Sequence, residues 1–253
     1  MIVKIKVALR RFLLPIAKRI VFGKEGNGGL TKDDLLSNFF QNLKKLGFDP
    51  KHIVDVGANH GTWTRFALSY FPSANYTLLE PQANLKKSVE DLLDRNLNIR
   101  WFNLGAGSKD EKLKFTISNR DDSSTFALSE AEAKSLGFSQ IIVPVVTLNN
   151  FIPTLKLPNP DIIKIDAEGL DLEVLQGATD CLDKCEVVLV EAGVANHNFE
   201  NSLLKVVTFM DEKGYSLFEI TDLNRPFKNQ VLWLVELAFV KKNGMFLNQP
   251  LGV

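Results

Sequence analysis

The sequence predicts an α/β protein built on a doubly wound, mostly parallel sheet that closes with an antiparallel hairpin. Three observations carry that expectation. Apolar, β-branched runs alternate along the chain with stretches of helical period, and such alternation buries a parallel sheet under helices on both faces. The first run breaks into "DVGANHG" (55–61), a glycine-bearing strand-to-helix turn of the kind that faces ligands in open α/β sheets. Near the end, "YSLFEITDL" (215–223) and "VLWLVELAFVKK" (231–242) follow each other with no helix between them, so they must pair antiparallel.

Composition bounds the function classes. The chain of 253 residues is 45% hydrophobic, enough for one sizeable core. Basic and acidic residues balance at 30 each, but unevenly. Residues 1–24 carry Lys4, Lys6, Arg10, Arg11, Lys18, Arg19 and Lys24 and no acid, which leaves 23 basic against 30 acidic residues over the rest. An acidic body argues against general nucleic-acid binding, which needs a basic groove. Cys181 and Cys185 make neither a disulfide framework nor a complete zinc site. They are expected as reduced thiols of a cytoplasmic protein, with no metal site.

Residues 1–29 read as a segment of their own, ahead of a domain over 30–253. Ile2, Ile5, Leu9, Phe12, Leu13, Ile16 and Ile20 recur at helical spacing among the basic residues, and Pro15 interrupts them. The segment is either a helix packed on the domain or, over residues 1–22, a helix lying on an anionic membrane surface at the inner face. It holds no uncharged apolar run long enough to span a bilayer, and no small-residue cleavage site marks it as a secretory signal. "GKEGNGG" (23–29) reads as a linker.

The elements then follow in order. "TKDDLLSNFFQNLKKLG" (31–47) has early acids, late lysines and a closing glycine, all helix signals. Strands are expected at 52–58, 75–81, 99–105, 161–168 and 186–192, and helices at 62–71, 82–95, 171–182 and 199–213. An insertion at about 108–155 contributes a strand (112–118), a polar loop leading into a helix, and a further strand and turn. It lies between strands whose C-terminal ends face the ligand crevice, so it either covers a substrate or elaborates the surface.

Three anchors suggest a ligand. Gly57 and Gly61 let the backbone approach an adenosine-bearing molecule without a Cβ clash. Their spacing is not the dinucleotide fingerprint, because Asn59 and Thr62 stand where glycines would be. A pyrophosphate favours a bare helix N-terminus, whereas Asp55 and Asn59 put polar side chains at the mouth. S-adenosyl-L-methionine has no phosphate, and an acid such as Asp55 suits its ammonium. Glu80, in "LLEP", ends the next strand and can accept hydrogen bonds from both ribose hydroxyls, which by itself does not separate NAD from S-adenosyl-L-methionine. Third, "IIKIDAEGLDLEVLQGA" (162–178) carries Asp166 and Glu168, which share one face if the strand runs that far. That pair reads as a site that deprotonates a hydroxyl, binds a hard cation or caps the next helix. His60 and His197 are rival bases, and each also reads as an ordinary loop residue.

Together these stretches resemble the FkbM-type methyltransferases, of the class I methyltransferase superfamily with its Rossmann-like fold. The likeness rests on "VDVGANHG" (54–61), "LLEPQANL" (78–85), "GAGSKDEKLKF" (105–115), "VPVVTLNNFI" (143–152), "IKIDAEGLDLEVLQGA" (163–178) and "VVLVEA" (187–192), and covers roughly residues 50–195. The chain departs from the family's usual pattern at Ala167, Leu170 and Asp171, keeping an acid at 171. The resemblance implies an S-adenosyl-L-methionine-dependent enzyme that O-methylates a sugar, glycan or secondary metabolite. The cofactor set it implies is Asp55, Gly57, Ala58, Asn59, Gly61, Glu80, Pro81, Leu104, Gly105 and Asp166, with Asp166, Glu168 and His60 as candidates for the chemistry. An NAD-dependent oxidoreductase and a non-catalytic binding module are the alternatives on the same layout.

Overall fold

The computed structural model describes residues 32–95, 98–119, 124–195 and 200–248. The basic segment expected at 1–29 and His197 lie outside the described residues.

Helix α1 (Lys32–Lys45) opens the described chain. Its buried residues Leu36, Phe39, Phe40 and Leu43 fall at spacings of three and four, and full burial of each contributes about 1.5–3 kcal/mol. The helix stops before Gly47, whose φ of 83° suits a glycine. The main sheet is built from β1 (His52–Val56), β2 (Asn75–Leu79), β3 (Ile99–Phe102), β7 (Ile162–Ile165), β8 (Val187–Gly193), β9 (Tyr215–Asn224) and β10 (Leu234–Lys241). Their spatial order is β3-β2-β1-β7-β8-β10-β9. The first five run parallel, and β10 pairs antiparallel with both β8 and β9. This is the expected Rossmann-like sheet with its C-terminal hairpin. The strand order switches direction between β1 and β7, which places a crevice at their C-terminal ends.

Helices cover both faces of the sheet, giving two apolar layers. Val54, Val56, Ile163, Ile165, Val188 and Val190 enter one layer, with α8 (Leu203–Glu212) and the short helices α6 (Asp171–Gln176) and α7 (Thr179–Leu182) above them. Ile53, Tyr76, Leu78, Ile162 and Leu189 enter the other, under α1 and α2 (Thr62–Tyr70). His52 is buried in β1, its ring nitrogens 2.8 Å from the Pro158 carbonyl and 2.8 Å from the Thr77 hydroxyl.

The insertion's strands β5 (Glu111–Ile117) and β6 (Ser139–Val146) join β4 (Gly105–Ala106), just ahead of it, in a small sheet of order β4-β6-β5. Helix α4 (Glu130–Ser135) sits between β5 and β6 and starts with a capping box of Ser129 and Glu132. A one-turn helix, α5 (Leu148–Phe151), follows β6.

Several expected bounds are corrected. The strand expected at 99–105 ends at Phe102, and Gly105 belongs to the small sheet instead. The strand expected at 161–168 ends at Ile165, so strand alternation does not align Asp166 with Glu168. The helix expected at 82–95 is a 3-10 turn, Ala83–Val89, running into α3 (Glu90–Arg95). The one at 171–182 breaks at Gly177, where a Cβ would lie 2.0 Å from the Gly107 carbonyl oxygen.

Candidate functional site

A cavity of about 740 Å³ opens at the C-terminal ends of β1, β2 and β7. Four turns supply its polar wall: Gly57, Ala58, Asn59 and His60 after β1; Glu80, Pro81 and Gln82 after β2; Leu104 and Gly105 after β3; and Asp166, Ala167 and Glu168 after β7. Trp63, Arg65 and Phe66 of α2 close one side. Phe115, Ser124 and Phe126 reach in from the insertion, so the insertion walls the cavity and is no remote elaboration.

Glu80 is the best defined of these groups. Only 3% exposed, it receives the Asn59 N–H on one carboxylate oxygen at 2.8 Å and the Gln82 N–H on the other at 2.9 Å. Burial pushes its carboxyl upward, opposed by those two N–H groups. The turn behind it is fixed by Asn103, whose side-chain amide donates to the Glu80 and Pro81 carbonyls. Asn59 offers its N–H to Glu80 from a left-handed conformation with φ 48°, and its side-chain oxygen takes the His60 N–H. His60 itself is exposed at the rim.

Two sequence expectations change here. Asp55 does not line the cavity. It is fully buried under α2, where it accepts the Thr64 hydroxyl at 2.5 Å and faces the Lys164 ammonium at 3.6 Å. Burial raises its carboxyl, and Lys164 is the largest opposing influence. The glycines, too, serve the protein before any ligand. A Cβ on Gly57 would lie 1.9 Å from the Asp166 carbonyl oxygen, and one on Gly61 would lie 2.7 Å from Val89 Cγ1. Gly57 therefore permits the crossing of the β1 and β7 turns, and Gly61, which is not in the cavity lining, permits α2 to pack on the 3-10 turn. Gly61 is also the N-cap of α2 with no side chain capping it, so this helix start is barer than the polar residues around it suggest.

The turn after β7 brings Asp166 and Glu168 to the same cavity by a route that alternation does not describe. Glu168 has φ 48°, and its carbonyl accepts the Thr125 hydroxyl at 2.6 Å. Asp166 anchors its N–H on the Val56 carbonyl and receives the Lys164 ammonium at 3.2 Å. The expected helix-capping role falls to neither: the N-cap of α6 is Leu170, with no side-chain cap. Asp171, fully buried, instead holds the turn that precedes the helix. Its carboxylate accepts the Ala167 N–H at 2.8 Å, the Gly169 N–H at 3.4 Å and the Asn201 amide at 2.9 Å. Burial pushes its carboxyl up to about 6.

Lys164 and Glu236 line the cavity without having been singled out in the sequence. Lys164 left a trace there: a cation in the middle of "IIKI" lies in a strand buried on both faces, where it requires partners. Asp166 and Asp55 are those partners. Glu236 comes from the hairpin and accepts the Thr221 hydroxyl at 2.7 Å. Nothing local in "WLVELAF" marks it.

Comparison with known proteins adds three findings. The family model of the Methyltransferase FkbM domain matches residues 55–217. The hexuronic acid methyltransferase AglP of Haloferax volcanii is 27% identical over 177 residues, which are 68% of this chain and 65% of that protein, so the chain spans just under two thirds of that relative. Among solved structures, the chain is similar to precorrin-6y C5,15-methyltransferase from Geobacter metallireducens (15% identity, TM-score 0.44, covering 86% of this chain and 93% of that one). It is also similar to an rRNA methylase from Streptococcus thermophilus (11% identity, TM-score 0.47, covering 82% and 96%).

Proposed function

The chain belongs to the FkbM methyltransferase family, and from that premise we propose that it transfers a methyl group from S-adenosyl-L-methionine to a hydroxyl of a sugar, glycan or secondary metabolite. The observation that carries this is Glu80. A buried carboxylate at the end of β2, each oxygen oriented by a backbone N–H, is built to accept two adjacent hydroxyls such as those of a ribose. Ala58, Pro81, Leu104 and Gly105 flank it with little steric demand, and the uncapped start of α2 suits a carboxylate. The relative's name, a hexuronic acid methyltransferase, supports a sugar as the acceptor class.

Bound here, the cofactor would supply an electrophilic methyl group. The protein's residues supply alignment and a route for the acceptor's proton. Holding reactants in line is worth about 7–11 kcal/mol, and the four turns with the wall from the insertion provide that confinement. Asp166 is the first candidate to take the hydroxyl proton. It is partly open to the cavity, and the Lys164 ammonium fixes one of its oxygens. Glu168 and His60 are further candidate bases within the same lining.

Isothermal titration tests the cofactor: S-adenosyl-L-methionine is expected to bind and NAD is not. Binding of NAD alone would replace the proposal with hydride transfer, and binding of neither would favour a non-catalytic module. Asp166→Asn is expected to lower turnover on a glycan acceptor by about 10²–10⁴-fold, with a smaller change in cofactor affinity, the signature of a contact made mainly in the transition state.

A further inference from the structure

The turn after β7 has a backbone shape that needs support. Glu168 and Gly169 both have positive φ, 48° and 109°, and a left-handed residue other than glycine persists only where its surroundings fix it. Asp171 grips this turn from the side of α6. A second grip comes from the insertion. The Thr125 hydroxyl donates to the Glu168 carbonyl at 2.6 Å and accepts the Ala127 N–H at 3.0 Å. Thr125 is 3% exposed. Its main chain is pinned as well, exchanging N–H···O bonds of 2.8 and 3.0 Å with Thr116 of β5. The strap around it, residues 124–128, lies close on Gly169, where an added Cβ would be 3.3 Å from Ala127 Cβ.

The same strap meets two more turns of the cavity. Ser124 Oγ donates to the Gln82 side-chain oxygen at 3.3 Å, and the Gln82 N–H is one of the two that orient Glu80. Phe126 lines the cavity and packs on Gly105, where a Cβ would lie 2.8 Å from its ring. One short strap therefore touches the turns after β2, β3 and β7.

Resting on the methyl-transfer reading above, we propose that Thr125 is a positioning residue of the methyl-donor site: its hydroxyl sets the turn that carries Asp166 and Glu168, and so makes donor binding depend on the insertion. The hydroxyl matters more than the bulk, because it bonds a main-chain carbonyl of the turn itself. Small displacements count in such a site, since about 1 Å of misplacement far from the reacting atoms can cost about 10²-fold.

The test measures S-adenosyl-L-methionine affinity of the full chain by calorimetry, with urea midpoints recorded for every variant. Thr125→Val keeps the branched shape and removes the hydroxyl. It is expected to weaken binding by about three- to tenfold, the size of one net hydrogen bond. Thr125→Ser keeps the hydroxyl and is expected to bind like the parent. Thr116→Val is the control: it makes the same change across the bridge, losing the bond from the Gln140 amide to the Thr116 hydroxyl without reaching the turn, and is expected to leave affinity unchanged. Parental affinity in Thr125→Val, an equal loss in Thr116→Val, or failure of Thr125→Ser to restore binding overturns the proposal. If Thr125→Val does not fold, hydrogen exchange on the parent decides. Saturation with S-adenosyl-L-methionine is expected to slow the amides of residues 124–128 together with those of 166–169, and a strap left unprotected overturns the proposal. A parent that does not bind the compound at all sinks the methyl-transfer reading instead, so the two failures are distinguishable.

Discussion

At the scale of single residues, the site depends on where each carboxylate is buried. Glu80 is held by two N–H groups and faces the cavity, whereas Asp55, one strand over, is held by Thr64 and Lys164 and faces the core. Glu80→Ala is therefore expected to weaken S-adenosyl-L-methionine binding by about 1.5–3 kcal/mol, the range for hydrogen bonds to a charged group. Calorimetry checks this, and unchanged affinity in a folded variant would remove Glu80 from the binding site. Gly57→Ala makes a contrasting case. With φ 76° and an Asp166 carbonyl oxygen 1.9 Å from the added carbon, it is expected to lower stability by more than about 1 kcal/mol, beyond what Gly→Ala gains by restricting the unfolded chain. Urea denaturation measures this. A Gly57→Ala variant as stable as the parent would mean the two turns separate at little cost.

At the scale of elements, the turn after β7 is the most consequential. It presents Asp166 and Glu168, yet its shape is held by Asp171, the first residue of α6. Asp171→Ala leaves buried donors unpaired, and each costs about 1–3 kcal/mol. The variant is expected to lose both stability and methyl transfer. A pH dependence follows from the Asp171 carboxyl being pushed up to about 6. The native state then binds the proton more tightly than the unfolded chain. The group's proton-linked contribution is full below its unfolded value near ~4 and is lost as pH rises through about 6. The stability gap between parent and variant should accordingly be larger at about pH 4.5 than at about pH 7.5. Urea midpoints at the two pH values test the sign, and a gap that widens at high pH would show that Asp171 does not titrate as its burial requires.

At the scale of the whole molecule, the cavity joins parts distant in sequence: the turn after β1, the insertion, the turn after β7 and strand β10. A ligand seated there ties both halves of the sheet together and stabilises only the native state. At about 100 times its dissociation constant, S-adenosyl-L-methionine is expected to add about 2.7 kcal/mol, a rise in Tm of about 5–11 °C for a domain of this size. Thermal melts with and without the compound check this, and no shift at saturation would speak against a site spanning these elements. No helix among the described residues is long and apolar enough to cross a membrane.

The sequence by itself determined the alternating layers, the closing hairpin and the family, because these depend on local period and on residue types at short spacing. Apolar β-branched runs must be covered on both faces, and two strands joined without a helix must be antiparallel. It also located the loops that meet at the crevice, since strand ends at a switch point are fixed by topology. Only the tertiary structure decided which acids face the cavity. Asp55 and Glu80 look alike as strand-end carboxylates, and packing under α2 buries one while the turn after β2 exposes the other to the cavity. Only the fold, likewise, brought Lys164 between Asp55 and Asp166, gave Asp171 the task of holding the turn after β7, and carried Glu236 to the site from the far end of the chain. Such roles arise from contacts between elements far apart along the chain, and no periodicity within a single segment encodes them.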